Sequence, residues 1–276
     1  MILTAVLGLG AAASSAAGQV LTKDFVDRLP PRELIGVLFA LNAALVLPGA
    51  PFVDWHGSPR VVALHALSAL TLGVGTIFVF DLFVHGTASA TTAALAISPV
   101  PAALAAALLG LGTVSPLQGA ACALVLAAVI VALPGAFVSM GRRRALVAVL
   151  VVAAANAFVT ILSRLLADEG VSTVEIYLVR TSACAAAFLL LFPPRGIPLR
   201  TTPLLGLRAV FITAQFLLII EAVRRGSPAI VQTMVATAPL IALALEGMRP
   251  PHARPAPRVL WCSLIVLGGV AVVAAG

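Results

Sequence analysis

The feature that most constrains this chain is a series of apolar runs, each about 20 residues long, which recur along its whole length. A helix of that length spans the hydrocarbon core of a bilayer, which is about 30 Å thick. Hydrophobic residues make up 61% of the 276 residues and charged residues 10%, whereas about a quarter of the residues in a soluble domain are charged. The sequence therefore predicts an integral membrane protein with little mass outside the bilayer.

Charge clusters and Pro/Gly-rich turns divide the chain into ten predicted spans. In lipid only helices and closed barrels satisfy their own backbone hydrogen bonds, and these runs are too long for barrel strands. The predicted fold class is thus an all-α integral membrane protein with ten transmembrane helices. The spans are residues 2–22, 34–53, 61–84, 87–111, 115–138, 145–166, 174–192, 204–223, 229–248 and 259–275.

A shift of 140 positions brings two related halves of the sequence into register. Because each half has an odd number of helices, the second is predicted to insert upside down relative to the first, as in the inverted repeats of secondary transporters. The predicted domains are residues 1–140 and 141–276. The aligned pairs are Asp81 with Glu221, Gly86 with Gly226, Thr92 with Gln232, and Pro99 with Pro239.

Uncharged polar side chains within the spans are the candidate substrate contacts. On the first and sixth helices they are spaced i, i+4 and i+7, which places each set on one helix face. Amides and hydroxyls suit a neutral or zwitterionic metabolite such as an amino acid better than a polyanion. The alternative interpretation is interhelical hydrogen bonding, worth about 0.6 kcal/mol on average in membrane proteins. The candidates are Ser15, Gln19, Thr92, Asn156, Thr160, Gln215, Gln232 and Thr237.

Two prolines at equivalent mid-span positions, Pro99 and Pro239, are candidate kink or gating residues. Proline removes a backbone hydrogen bond and bends the helix, which frees a carbonyl group one turn earlier. These prolines are either plain kinks or positions whose freed carbonyl groups face a cavity.

Three charged residues within the spans are candidates for proton coupling or anion contact. Asp81 and Glu221 each lie about one turn from a helix end and have a basic or titratable residue at i+4. They are therefore either interfacial acids paired with those neighbours or proton-coupling groups. Arg180 follows Glu175 on the seventh helix and is either a salt-bridged or interfacial arginine or an anion clamp.

The chain shows no signature of an enzyme. Zinc-protease, nucleophile-elbow, P-loop and dinucleotide-binding motifs are absent, and the three cysteines have no disulfide or metal spacing. The net charge of +7 is scattered between hydrophobic segments, which argues against a nucleic-acid surface. We therefore expect no cofactor, metal or nucleic-acid partner. The expected partners are a small-molecule substrate, the lipid bilayer and, if transport is coupled, protons, for a monomer or homodimer.

Several stretches also carry a family resemblance. They are Lys23, which closes the first helix, “LPPREL” and “LQGAACALVLAAVIV” in the first half, and “VSTVEIYLVR”, “GSPAIVQTMVATAPL” and “LWCSLIVLGGVAVV” in the second. Over nearly the whole chain they resemble the drug/metabolite transporter superfamily, in particular its ten-helix EamA-type branch. One departure is that the family's Gly-Glu pair after the fourth and ninth helices is missing, since Glu246 precedes Gly247.

The resemblance implies a multi-pass protein of the bacterial inner membrane, with a central cavity walled by helices one, three, four, six, eight and nine. The predicted function is secondary transport, without ATP, of small metabolites such as amino acids by alternating access. Export is the commoner direction in the family. The alternatives are a non-transporting membrane scaffold or accessory subunit, a multidrug efflux protein and an intramembrane lipid-processing enzyme.

The distribution of basic residues bears on orientation. Twelve of them, Arg208 included, lie on the side of the odd-numbered loops and four on the side of the termini. The positive-inside rule then favours external termini, whereas the resemblance implies cytoplasmic termini.

Overall fold

The computed structural model describes residues 2–108, 137, 139–195, 197–198, 201–226 and 228–248, with isolated positions within 116–127 and 257–268. The predicted spans at 115–138 and 259–275 lie outside the described residues apart from those positions. The described part is helical and contains no strand. The all-helical class predicted from the sequence is confirmed.

Helices and short turns follow one another closely along the chain. In the first half they are α1 (Ile2–Val26), α2 (Pro31–Val46) with a following 3-10 helix (Leu47–Phe52), α3 (Pro59–His85), α4 (Ala88–Leu95) and α5 (Pro99–Leu108). In the second half they are α6 (Arg142–Asp168), α7 (Thr173–Leu191), α8 (Thr202–Arg225), α9 (Pro228–Val235) and α10 (Ala238–Gly247).

Within the described residues, five stretches of helix are long and apolar enough to cross a membrane: Pro31–Phe52, Pro59–His85, Arg142–Asp168, Thr173–Leu191 and Thr202–Arg225. Large apolar side chains also cover the outside of the bundle. On α3, for example, Leu67, Leu70, Val74 and Ile77 are between 41% and 64% exposed. Their spacing puts them on one helix face, which is the pattern expected of a helix whose solvent is lipid.

Polar residues just before the helices fix several of the tight turns. The Ser58 hydroxyl accepts a hydrogen bond from the backbone N–H of Val61 at the start of α3, and Ser172 caps α7 in the same way. These caps satisfy backbone N–H groups that have no partner within the helix. Between α6 and α7 the chain turns at Gly170, whose φ of 85° favours glycine.

The fourth and ninth predicted spans are not continuous helices. Each is divided into two short helices, with a break at residues 96–98 between α4 and α5 and at residues 236–237 between α9 and α10. Pro99 opens α5, and Pro239 lies in the first turn of α10. A proline ring disfavours helical geometry in the residue before it and cannot donate a backbone hydrogen bond, so a kink predicted from the sequence becomes a break.

The buried carboxylate of Glu246 joins α10 to α4. It accepts hydrogen bonds from the backbone N–H groups of Ala88 and Ser89, at 2.8 and 3.3 Å. These are orphan donors at the first turn of α4, which lie inside the protein and away from water. Glu246, which precedes Gly247 instead of following a glycine as in the family's pattern, thus binds the first turn of α4 in this chain.

The helices of the two halves pack across each other. Helix α1 packs mainly on α8, α3 on α6, and α2 on α7. Glycines set the close contacts: a Cβ atom at Gly18 would meet Ile212 at 2.5 Å, and one at Gly75 would meet Ala155 at 2.7 Å. Such small residues let helix backbones approach closely where lipid offers no hydrophobic drive for association.

Candidate functional site

A cavity of about 90 Å³ lies between α1, α2, α3, α6, α7 and α8, and Leu95 at the end of α4 also lines it. A single water needs only about 10–15 Å³ of such space, so there is room for several waters or a small solute. The wall is mainly apolar, and no acidic side chain lines it among the described residues. The polar lining residues are Gln19, Asn42, Thr76, Asn156, Tyr177, Thr181, Arg208 and Gln215.

Three of the predicted substrate contacts, Gln19, Asn156 and Gln215, line this cavity. Three others do not: Ser15 is buried elsewhere, Thr92 donates to the backbone of its own helix, and Thr237 donates to the carbonyl group of Met234. The hydroxyl groups of Thr92 and Thr237 are thus satisfied by backbone carbonyl groups nearby in the sequence and need no partner in the cavity.

The remaining two predicted contacts, Thr160 and Gln232, belong to a hydrogen-bonded cluster at one edge of the cavity. Asn156 Nδ2 donates to the Ser98 hydroxyl at 2.9 Å, and that hydroxyl lies 2.9 Å from Gln232 Oε1. The Gln232 amide N–H group in turn donates to the hydroxyl of Thr160, which donates to the carbonyl group of Asn156. The cluster joins α6 to the break between α4 and α5 and to α9.

Ser98 was not predicted as a site residue, although it holds the centre of this cluster. It is fully buried in the break before Pro99. The available signal was its position beside a mid-span proline, where the interrupted helix leaves polar groups to be satisfied by side chains.

Two amide oxygens in the cavity region have no partner within the described structure. They are Oδ1 of Asn42 on α2 and Oε1 of Gln215 on α8, both of residues that line the cavity. Buried acceptors are normally hydrogen-bonded, so unsatisfied oxygens beside a cavity indicate a place for a ligand or water. Asn42 was not predicted, although it is an uncharged polar residue near the middle of its span, as Gln215 is.

Arg208 also lines the cavity, although from the sequence it is grouped with the loop arginines. Helix α8 begins at Thr202, so Arg208 lies in its second turn, and it is only 7% exposed. Its Nε–H group donates to the hydroxyl of Thr22 on α1 at 3.0 Å. Within the described part of the chain, no carboxylate forms an ion pair with it.

A much larger space, which we call the vestibule, has a volume of about 1500 Å³ and adjoins the cavity at Ile35 and Phe80. It lies between the start of α2, the end of α3, the start of α6 and the end of α7. Two acids, Glu33 and Asp81, line it. They face a surplus of arginines: Arg32, Arg142, Arg143, Arg144 and Arg195.

The opposite end of the bundle is held together by ion pairs and hydrogen bonds. Glu175 on α7, 1% exposed, accepts from the backbone N–H of His56, and the Nδ1 atom of that histidine lies 3.0 Å from the carboxylate. Arg60 pairs with Glu169 at 3.1 Å, and Arg224 donates to the carbonyl group of Val171. We call this region the tied end. It lies at the ends of α3, α6 and α7 that are opposite the vestibule.

The predicted acids Asp81 and Glu221 are both engaged by basic side chains. Asp81 pairs with Arg144 at 2.7 Å and lies 3.7 Å from His85, while Glu221 pairs with Arg225 at 2.5 Å. Both i, i+4 neighbours are in place, as expected for interfacial acids. The two groups lie at opposite ends of the bundle.

The predicted pair of Arg180 with Glu175 does not form. A separation of five residues does not bring two side chains together on a helix as i, i+4 does, and Glu175 binds His56 instead. Arg180 is fully buried and donates from Nη2 to the Ser163 hydroxyl at 2.7 Å. It is not among the residues that line the cavity.

The wall of the cavity also differs from the one that the resemblance implied. Helices α2 and α7 contribute to it, and no described residue of α9 or α10 does. On α9, the Gln232 side chain is engaged by Ser98 and Thr160 instead.

Comparison with known proteins relates the second half of the chain to a protein family. Residues 143–275 match the model of the EamA-like transporter family. This match confirms the predicted family resemblance for the second half of the chain. The EamA-like segment contains Asn156, Arg208 and Gln215 of the cavity wall. No curated protein matches the chain.

The fold extends beyond the EamA-like segment. A crystal structure, titled only as that of a protein, superimposes with a TM-score of 0.71 at 18% identity. The match covers 98% of this chain and 96% of the other. At that identity the likeness shows a common fold for the two chains.

Proposed function

We propose that the chain is a secondary transporter that moves a small metabolite, such as an amino acid, through the central cavity by alternating access. The observation that carries this proposal is the cavity itself, whose mainly apolar wall carries several polar side chains and which adjoins a wide vestibule on one side. In alternating access, one of the two states has its binding cavity open to one side of the membrane and closed to the other, and this arrangement matches such a state. The membrane would be the bacterial cytoplasmic membrane, and transport would run outward.

An inverted repeat would supply the second state. Helices α1 to α5 and α6 to α10 each comprise three longer helices followed by two short ones, and the two breaks precede prolines that are 140 residues apart. The contact of α1 with α8 corresponds to that of α6 with α3, as a pseudo-two-fold axis between inverted halves demands. Exchange of the two conformations would close the vestibule and open the tied end.

The divided helices are the proposed moving parts. Pro99 is the first residue of α5 and Pro239 the second residue of α10, and the cluster of Ser98, Asn156 and Gln232 connects the first break and α9 to the cavity wall. A solute that hydrogen-bonds to Asn156 would compete with Ser98 and thereby bias the position of α4 and α9. Proton coupling through Asp81 or Glu221 is a separate hypothesis, since both acids lie away from the cavity wall.

Uptake of a pooled metabolite mixture into proteoliposomes, read by mass spectrometry against empty liposomes, tests the proposal. We expect one class of solutes to accumulate. Asn156→Leu or Gln232→Leu should reduce accumulation at least tenfold, while Phe158→Leu, on the exposed face of the same helix, should leave it unchanged. Absence of accumulation for folded wild-type protein, with and without a proton gradient, would favour the scaffold alternative.

A further inference from the structure

We propose that Arg208 binds a carboxylate group of the substrate inside the central cavity, so that the transported solutes are small monocarboxylates, zwitterionic amino acids included. This inference rests on the proposed transport function. It deepens that function, because the sequence alone selected neutral polar groups and placed the anion contact at Arg180.

The first argument is the charge of the cavity. Arg208 is the one charged residue among the described lining residues, it is 7% exposed, and no described acid pairs with it. A buried cation without a counter-charge is expensive, so it is normally paired or faces a functional site. In this cavity a carboxylate group of the substrate would supply the negative charge that Arg208 lacks.

The second argument is how the guanidinium is held. Nε donates to the Thr22 hydroxyl at 3.0 Å, and that hydroxyl donates to the carbonyl group of Gly18 at 2.7 Å. The chain of bonds fixes one edge of the guanidinium to α1. Within the described residues, neither Nη nitrogen makes a hydrogen bond to a protein group. Two parallel N–H donors of this kind match the two oxygens of a carboxylate.

The third argument is the approach to the site. Five arginines and two acids line the vestibule, and both acids are already engaged. Glu33 accepts from the backbone N–H of Arg195, and Asp81 pairs with Arg144. A cleft with a surplus of one charge raises the local concentration of the opposite charge, so the vestibule attracts anions toward the cavity.

The fourth argument is the complementary set of acceptors. Oδ1 of Asn42 and Oε1 of Gln215 lack partners in the described structure, and each is suited to an ammonium or hydroxyl donor. Gln215 follows Arg208 by two helical turns and therefore lies on the same face of α8. A single cation beside neutral acceptors fits a solute with one carboxylate, whereas a polyanion would need further cations.

Uptake of chemically matched solutes into proteoliposomes tests this assignment. The probes are L-alanine with L-alaninamide and L-lactate with lactamide, so that each pair differs in the carboxyl group alone. We expect at least tenfold more accumulation of the acid than of its amide. Arg208→Gln should abolish this preference, and Arg208→Lys should retain part of it, because lysine keeps the charge without the fork.

The matched control is Arg60→Gln, which removes an exposed arginine at the tied end, outside both spaces. It should preserve the preference for acids. Thermal melting and gel filtration establish that each variant is folded. If Arg208→Gln does not fold, wild type is compared with Arg208→Lys. Lysine lacks the two parallel N–H donors, so the apparent KM for the acid should rise at least several-fold in that variant.

The outcomes separate this inference from the proposal beneath it. Equal accumulation of acids and amides, or undiminished acid transport by folded Arg208→Gln, would overturn the role of Arg208 and leave transport standing. Accumulation of amides alone would do the same. Failure of every solute here and in the pooled mixture would overturn transport itself.

Discussion

Ser98, in the first half of the chain, is hydrogen-bonded to two residues of the second half. Its hydroxyl lies between the amides of Asn156 and Gln232 and also 2.7 Å from the carbonyl group of Leu95. A hydroxyl group has one proton, so it donates to one of these acceptors at a time while it accepts from Asn156. The bond to Gln232 can thus be exchanged for a bond within the break.

Replacing Ser98 tests that central position. Ser98→Ala leaves two buried amide groups short of a partner, and we expect a loss of stability of about 1 kcal/mol, within the range for buried polar contacts in membranes. Unfolding in mixed micelles measures it. Thr91→Val is the control, because that hydroxyl bonds only to the preceding turn of its own helix. A loss equal to that of the control would contradict the account.

The sequence could indicate some of these residues but not all of them. Gln19, Asn156 and Gln215 are polar at mid-span, where polarity needs a reason, and they line the cavity. Arg208 could not be separated from the topology arginines, because distance from a helix end says nothing about which way a long side chain turns. Contacts such as His56 with Glu175 join residues distant in the sequence, and no local pattern encodes them.

At the scale of the elements, close packing rather than polarity sets how far the helices can move. Gly75 on α3 and Ala155 on α6 leave no room between their backbones. The equivalent contact on the other side of the bundle is that of Gly18 with Ile212. Interfaces of this kind tolerate sliding better than they tolerate an added side chain.

A pair of substitutions tests the α3–α6 contact. Gly75→Ala places a methyl group against Ala155, and we expect destabilisation of about 1–3 kcal/mol. Adding Ala155→Gly should restore most of the loss, since the double variant exchanges the two side chains. Gly206→Ala serves as the control, because nothing lies within 4 Å of the added atom. A double variant no more stable than Gly75→Ala would show that the contact is not the cause.

Element boundaries illustrate what the sequence can and cannot predict. Long apolar runs gave α1, α3, α6, α7 and α8 within a few residues. The predicted spans 87–111 and 229–248 were wrong as single helices, because hydropathy does not distinguish a bent helix from a broken one. The prolines marked both positions, but the width of the break depends on the side chains that replace the lost hydrogen bonds.

At the scale of the whole molecule, the vestibule and the tied end are the two ends of the protein that would open in turn during the proposed transport cycle. The vestibule opens where the exposed arginines of α6 begin, and the tied end is closed by Glu175 and its neighbours. The surplus of basic residues on the vestibule side does not depend on Arg208, which lies inside α8. The positive-inside rule therefore favours a vestibule that faces the cytoplasm, whereas the family resemblance implies cytoplasmic termini and hence the opposite orientation.

Loosening the tied end should shift the balance between the two states. Glu175→Gln removes the charge that His56 faces and leaves the volume unchanged, so we expect readier access to the cavity from that end. The rate of thiol labelling from that side, in a protein with Thr76→Cys, measures the shift and should rise several-fold. Arg60→Gln, which removes an exposed ion pair of small value, should not change the rate.

Labelling of a cavity cysteine from each side of the membrane tests alternating access most directly. Thr76 lines the cavity and its hydroxyl bonds only to the carbonyl group of Leu72, so Thr76→Cys in a protein without native cysteines disturbs little. The account predicts that a membrane-impermeant thiol reagent reacts in both right-side-out and inverted vesicles, more slowly when a transported solute is present. A cysteine that reacts from one side only, or from neither, at a rate that no solute changes, would contradict it.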